Sequence, residues 1–194
     1  MYVGRILVSE PIAMADFDPM NVVKVAKRHL ASISDPRRRL ILENFIEHAT
    51  AEAQGDYEAL MASCSREKQE YASYGSEFAA PQSYAELEIH YRGLIDANMH
   101  LVHFAVEKLV VGSDVILVEG IVHQLYPGHM IRPLFGISVE SESDVYQLTK
   151  RTSLTFVFDE AGKGAGEQAY ADGPTTLADL VKVEPGDVPD AFKG

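Results

Sequence analysis

The sequence is poor in cysteine and in basic residues, and it contains no long apolar run. The single cysteine, Cys64, excludes an intramolecular disulfide bond and is typical of a protein from a reducing compartment. No apolar run approaches the roughly 20 residues that a membrane-spanning helix needs. Residues 1–18 lack the basic-then-apolar layout of a signal peptide. We therefore expect a cytoplasmic chain with no membrane partner.

The shortage of basic residues also bears on nucleic acids. The chain has 17 Lys and Arg residues against 29 Asp and Glu residues, for a formal net charge of −12. Phosphate backbones are bound by clustered positive charge, and the one dense basic run, residues 37–39, falls at a predicted helix start, where we expect it to be solvated. We expect no nucleic-acid partner. At 194 residues the chain is long enough for one domain with a substantial core.

Helices are predicted in the first half of the chain. Two Asp-Pro pairs, at 18–19 and 35–36, each place an N-cap before a proline at the first helical position. Gly55 ends the second helix, and Ser83 with Glu86 forms the pattern of a capping box. The predicted helices span residues 19–31, 36–54, 57–63 and 84–99.

Strands are predicted in the second half, where the apolar period changes from helical to alternating. Two β-rich runs lie between residues 101 and 128 and are joined by a turn at 112–114. The other predicted strands span residues 70–74, 134–139, 145–158 and 164–170. Residues 173–194 read as a tail with one helical turn near 176–181. Helices followed by strands predict an α+β fold in which a curved antiparallel sheet wraps around the N-terminal helices as a cone-shaped barrel. The concave end of such a sheet makes a pocket.

Several short motifs, in their order, resemble one family. They are AQGDY at 53–57, AVEKL at 105–109, GSD at 112–114, FVFDEAGK at 156–163, and Glu167 followed by YAD at 170–172. This order resembles the nuclear transport factor 2-like superfamily, especially its SnoaL-like branch. The resemblance covers residues 36–172. It implies a domain over that range, preceded by an extension with a short helix over 1–35 and followed by a tail over 173–194.

Two enzyme families of this superfamily allow residue-by-residue comparison. The three functional positions of ketosteroid isomerase fall on Ala72, His48 and Leu154, so its mechanism is not expected. Scytalone dehydratase is more similar, since His103-Phe104 resembles its strand-borne His-Phe pair and His123 lies near its second strand histidine. Tyr71 or Tyr74 takes the place of its polarising tyrosine. Its helix carboxylate falls near Ala53, with Glu52 beside it.

The two strand histidines interrupt runs that are otherwise Val, Ile, Leu and Phe. A histidine pair suits the transfer of protons because its ordinary pKa of about 6.5 lies near working pH. We therefore predict that His103 and His123 are catalytic, with Tyr71 as polariser and Asp172 as an auxiliary base. The alternative is that each histidine is a hydrogen-bonded core or surface residue, and His48 and His90 are interpreted as boundary residues of their helices.

Further side chains are predicted to bind substrate. Arg151 binds an oxyanion if its strand face lines the pocket; otherwise it lies on a solvated face or at a subunit interface. The predicted aromatic binding residues are Tyr74, Tyr126, Tyr146 and Tyr170. No spacing of ligands indicates a metal site, and no glycine-rich nucleotide loop is present. We expect neither a metal nor a cofactor.

The sequence therefore predicts a cofactor-independent lyase, dehydratase or isomerase. Its substrate would be an apolar, aromatic or polycyclic, oxygenated small molecule, and loss of water is not separated from carbon–carbon cleavage. The rival interpretation is a non-catalytic small-molecule-binding or assembly module of the same fold. From the resemblance we also expect a homo-oligomer, a dimer or a trimer.

Overall fold

The computed structural model describes residues 10–75 and 79–193, which contain six α-helices and six strands. The helices are α1 (Asn21–Leu30), α2 (Pro36–Gln54), α3 (Tyr57–Ser63), α4 (Tyr84–Asp96), α5 (Gly128–Phe135) and α6 (Asp190–Lys193). The strands are β1 (Ala72–Tyr74), β2 (Val102–Val111), β3 (Val115–Pro127), β4 (Val145–Phe158), β5 (Gly164–Ala171) and β6 (Leu180–Val183). Four of the helices precede β2, and the long strands lie in the second half of the chain.

The helix ends follow the predicted capping chemistry. The Asp35 side chain accepts a hydrogen bond from the Arg38 amide at 2.8 Å, and Gly55 ends α2 in the left-handed region at φ 66°. Ser83 accepts from the Glu86 amide at the start of α4. These caps satisfy backbone groups that have no partner inside the helix, which fixes where each helix begins and ends.

The six strands form one curved, open sheet in the order β1-β5-β4-β3-β2. Strand β6 pairs with residues 145–148 of β4, next to the part of β4 that pairs with β5. All pairs are antiparallel except β1 with β5. The predicted α+β fold with N-terminal helices on a curved, mainly antiparallel sheet is confirmed. The sheet does not close into a barrel.

A β-bulge bends the sheet where β2 meets β3. Val106 pairs with Gly120 and Lys108 pairs with Glu119, so Glu107 is the extra residue. A Cβ atom at position 120 would collide with the Ala105 carbonyl oxygen. The bulge therefore requires glycine at this position, and it increases the local twist that wraps the sheet toward the helices.

Helix α2 packs along the concave face of the sheet. Its buried residues Ile41, Leu42 and Phe45 join Ile116 and Phe158 in one core cluster. Arg37, predicted to be solvated, instead donates to backbone carbonyl groups of both hairpin turns. The acceptors are Ser113 O (2.9 Å), Asp159 O (2.6 Å) and Glu160 O (3.1 Å). These bonds hold the start of α2 over the edge of the sheet at which β3 begins and β4 ends.

Two predictions for the later part of the chain need correction. Residues 134–139 are not a strand, because α5 continues to Phe135 and Gly136 ends it at φ 69°. The apolar residues Ile137 and Val139 are instead used to cover the buried cluster around Tyr126 and Tyr146. The predicted tail supplies β6, which extends the sheet along β4.

Replacement of Gly120 by alanine is expected to destabilise the protein by about 2 kcal/mol or more, because the new Cβ forces the two strands apart at the bulge. Gly93→Ala is the matched control, since this exposed glycine of α4 has no heavy atom within 4 Å of its Cβ position. That control is expected to stabilise by about 0.5–1 kcal/mol, as alanine favours the helix. Urea unfolding measures both changes, and equal stabilities for the two variants would contradict the packing at the bulge.

Candidate active site

A cavity of about 260 Å³ lies between α2 and the concave face of the sheet. Because alternate residues of a strand point to opposite faces, residues 102 and 104 of β2, and 122 and 124 of β3, face this cavity. Most of the wall is apolar. Its apolar residues include Phe45, Val102, Phe104, Val122, Leu154 and Phe156. The cavity thus suits a ligand with an apolar body.

His48 is the buried polar residue that α2 contributes to the cavity wall. Its Nδ1 lies 2.8 Å from Ser63 Oγ, and its Nε2 lies 3.2 Å from the Tyr91 hydroxyl oxygen. The Ser63 hydroxyl donates to the Leu60 carbonyl (2.6 Å), and the Tyr91 hydroxyl donates to Glu167 Oε1 (2.9 Å). Each hydroxyl has one proton, so each can only accept from His48. Both ring nitrogens therefore donate, and His48 is an imidazolium.

Glu167 on β5 is the counter-ion of His48, with Oε1 3.3 Å from Nε2. Burial alone would lower the pKa of His48, but its contacts with Cys64 and Glu167 outweigh burial and hold that pKa well above 6.5. Burial would likewise raise the pKa of Glu167. Hydrogen bonds from His48 and Tyr91, with the His48 charge, instead hold it below its ordinary 4.5. The buried His48 and the half-buried Glu167 form an ion pair across α2 and β5.

Glu52 lies one helical turn after His48 and also lines the cavity. Burial, and then the negative charge of Glu167, raise the pKa of Glu52 from 4.5 to about 7, against the opposing charge of His48. A carboxyl group with this pKa both accepts and donates protons near neutral pH. Among the groups of the cavity wall it is the best suited to acid–base chemistry.

The sequence-based interpretation assigned His48 to a helix boundary and so missed this set of residues as a site. The sequence nevertheless contains a signal for this site. His48 and Glu52 are four residues apart and fall within the apolar stripe of α2 beside Phe45 and Ala49. The family resemblance also pointed to α2, since it placed functional helix positions at His48 and beside Glu52.

Comparison with solved structures identifies the fold. A protein of Shewanella putrefaciens CN-32, assigned as a SnoaL-like polyketide cyclase, has a TM-score of 0.56 and 11% identity, covering 76% of this chain and 87% of that one. Proteins with the same assignment from Shewanella denitrificans OS-217 (TM-score 0.52, 13% identity, 71% and 92% covered) and Jannaschia sp. CCS1 (0.52, 11%, 73% and 91%) are similar. The chain has the SnoaL-like fold. No protein-family model and no curated protein matches the sequence.

The predicted resemblance to the SnoaL-like branch of the nuclear transport factor 2-like superfamily is thus confirmed at the level of fold. At these identities the likeness carries the fold and not the chemistry. The chemistry of this SnoaL-like chain therefore depends on the residues of its own cavity.

His103 and His123 pair directly across β2 and β3, with ring centroids 5.7 Å apart. They lie on the convex face of the sheet, opposite the cavity, because the residues on either side of them face inward. The N-terminal segment, residues 10–20, covers them: the Asp18 amide donates to His103 Nδ1 at 3.0 Å. His123 Nδ1 lies 3.1 Å from Thr149 Oγ1. This placement corrects the expectation that the pair acts on a ligand in the cavity.

Arg151 also points to the convex face, where it forms a bidentate ion pair with Glu107 at 2.6 and 3.0 Å. Its neighbour Lys150 lines the cavity instead. Lys150 Nζ lies 3.2 Å from Asp172 and 3.3 Å from Asp179. Asp172 is thereby an ion-pair partner that ties the segment after β5 to β4, and the geometry does not place it as a base.

The predicted tyrosines separate into four environments. Tyr126 lines the cavity, and its hydroxyl donates to Gln124 Oε1 at 2.8 Å. Tyr71 lines a smaller adjoining chamber between α2 and β5. Tyr74 and Tyr170 are exposed and stack on each other at 4.6 Å, outside the cavity. Tyr146 is buried against Ser141, to whose carbonyl it donates, so the last three do not meet a ligand in the cavity.

Neither a cluster of metal-ligating side chains nor a membrane-spanning helix is found in the described part of the chain. Within residues 10–75 and 79–193, no three His, Cys, Asp or Glu side chains are grouped so as to hold a metal ion. No helix over the same ranges is long and apolar enough to cross a membrane.

The convex-face histidines predict a loss of stability in acid. Burial, with the neighbouring His103, lowers the pKa of His123 from 6.5 to about 4. Between these two values the unfolded chain binds a proton that the folded chain excludes, so the free energy of unfolding falls as pH decreases from 6.5 to 4. We expect His123→Gln to reduce this fall by on the order of 2 kcal/mol in urea unfolding across that range. His129→Gln, at an exposed residue of α5, is the control, and a fall in His123→Gln as steep as in the control would contradict the prediction.

The charge state of His48 can be observed directly. Nitrogen-15 NMR at neutral pH is expected to show both ring nitrogens of His48 protonated. In Glu167→Gln the counter-ion is lost, so the pKa of His48 should fall and the imidazole should become neutral. Glu160→Gln, in the exposed turn after β4, should leave His48 unchanged. A singly protonated His48 in the unmodified protein would contradict the ion pair.

Proposed function

We propose that this chain is a cofactor-independent enzyme of the lyase, dehydratase or isomerase type. The observation that carries the proposal is Glu52, a carboxyl group whose pKa is raised to about 7 inside an apolar cavity. Active sites commonly shift pKa values in this way, toward the pH at which the group must exchange protons. We assign proton transfer to Glu52 and not to His103 and His123, because the two histidines lie on the convex face of the sheet, opposite the cavity.

Two ionisable residues of the cavity wall have roles in this proposal. Glu52 as the carboxylate removes a proton from a carbon next to a carbonyl group, and the electron pair moves onto the carbonyl oxygen. Both N–H groups of the His48 imidazolium are held by Ser63 and Tyr91, so His48 favours the developing oxyanion through its charge and not through a hydrogen bond. Glu52, now protonated, returns the proton either to another carbon, which completes an isomerisation, or to a departing hydroxyl group, which leaves as water.

The wall supports an apolar, aromatic or polycyclic substrate. Phe45, Phe104 and Phe156 offer ring faces and edges against which planar ligands pack. Tyr126 and Gln124 supply further polar groups to a wall that is mostly apolar, and a hydroxyl or carbonyl oxygen of the ligand would bind there. Cleavage of a carbon–carbon bond in a β-hydroxy compound uses the same groups, with Glu52 taking the hydroxyl proton.

The second candidate is a binding protein without turnover. It is favoured by the position of His103 and His123 outside the cavity and by the mainly apolar wall. The two candidates differ in the fate of the bound ligand, because only the enzyme converts it. A homo-oligomer and a cytoplasmic location remain predictions from the sequence.

A panel of hydroxylated aromatic and polycyclic ketones, incubated with the protein and analysed by liquid chromatography with mass spectrometry, separates the two candidates. Turnover would give a loss of water, a fragment pair or an isomer, and Glu52→Gln should reduce its rate by about 100-fold or more. Glu47→Gln is the matched control, because Glu47 lies on the exposed side of the same helix. Binding without conversion would support the second candidate, and full activity of Glu52→Gln would overturn the assignment of Glu52.

A further inference from the structure

A second, much smaller space adjoins the cavity behind His48. This inner chamber, of about 10 Å³, is lined by Asn44, His48, Tyr71, Phe156, Gly164 and Glu167, among others. It shares Phe45, His48, Phe156 and Glu167 with the main cavity, so Glu167 is one of the side chains that lie between the two spaces. A space of this size holds about one water molecule.

Asn44 presents an unusual polar atom to this region. Asn44 is 6% exposed, and its Oδ1 has no hydrogen-bond partner among the described residues. A buried amide oxygen left without a donor destabilises the folded state, and most such atoms in folded proteins are satisfied by protein or by ordered water.

The orientation of the Asn44 amide is fixed by its other end. Nδ2 donates to the Ser63 carbonyl oxygen at 3.2 Å, and the flipped amide would set two oxygens against each other. Oδ1 therefore points away from Ser63. Position 164 is a glycine, whose Cβ would lie 3.9 Å from Oδ1, so the space beside this oxygen is left open on the β5 side.

The acceptors of the chamber define what it binds. Asn44 Oδ1 accepts only, and the Glu167 carboxylate, with Oε1 taken by Tyr91 and His48, also accepts only. A guest must therefore bring two donors within the volume of one small molecule. We infer that the inner chamber binds one water molecule, which donates to Asn44 Oδ1 and to the Glu167 carboxylate.

This water gives Asn44 a positioning role. A hydrogen bond donated to Glu167 favours its carboxylate form, and the Glu167 charge keeps His48 protonated and raises the pKa of Glu52. Asn44 thus acts on the cavity through the water and through Glu167, without contact to a ligand. The inference concerns the unliganded protein and stands whether or not the proposed enzymatic function is correct.

A crystal structure of the full chain at high resolution tests the site directly. The expected result is one well-ordered water within hydrogen-bond distance of both Asn44 Oδ1 and Glu167. Water–protein NOE contacts to the chamber residues in solution provide the same test without a lattice. A chamber without density and without such contacts overturns the inference.

Asn44→Leu tests the role of the water, because leucine has a similar shape and no acceptor. We expect the titration midpoint of Glu167, monitored by carbon-13 NMR of its carboxyl group, to rise by about one pH unit, because its carboxylate loses the hydrogen bond that the water donates. The control is Asn21→Leu, which removes a comparable side chain–backbone bond, Asn21 Nδ2 to Phe104 O at 2.6 Å, away from the chamber. An unchanged midpoint in Asn44→Leu would overturn the positioning role, and if that variant does not fold, the crystal and NOE data on the unmodified protein decide the site.

Discussion

The partly buried ion pair between His48 and Glu167 is the interaction on which the cavity depends. It joins α2 to β5 at 3.3 Å, and a buried pair is tolerated only when the remaining donors and acceptors of both groups are satisfied. Ser63 and Tyr91 meet that requirement at the two ring nitrogens. The Glu167 carboxylate of this pair places a negative charge near Glu52. Together with burial, this charge raises the pKa of Glu52 to about 7 in a mostly apolar wall.

The fold fixes the geometry of this pair from both sides. Arg37 holds the start of α2 over the hairpin turns, so His48, about three turns later, meets β5. The bulge opposite Gly120 bends β2 and β3 around the helix, which leaves room for the cavity between them. The hydrogen bonds of Arg37 and the bulge at Gly120 therefore determine together where His48 meets Glu167.

Much of the fold was predictable from the sequence because its signals are local. Asp35-Pro36, Gly55 and Ser83 mark helix ends through hydrogen bonds to their own neighbours. The strands are predicted by alternation, and the pairing of His103 with His123 agrees with the hypothesis that the two meet across the sheet. The parallel pairing of β1 with β5, and the use of residues 180–183 as a strand, depend on distant contacts that alternation does not encode.

The site was less predictable for a physical reason. Alternation shows that His103 and Phe104 face opposite ways but not which face meets the helices, and the N-terminal segment that covers His103 is distant in sequence. The most direct test of the account is a carbon-13 NMR titration of the Glu52 carboxyl group in the unmodified protein. The account predicts a midpoint near pH 7. A midpoint in the ordinary range for glutamate, about 4.3, would show that the ion pair does not tune Glu52 and would contradict the proposed chemistry.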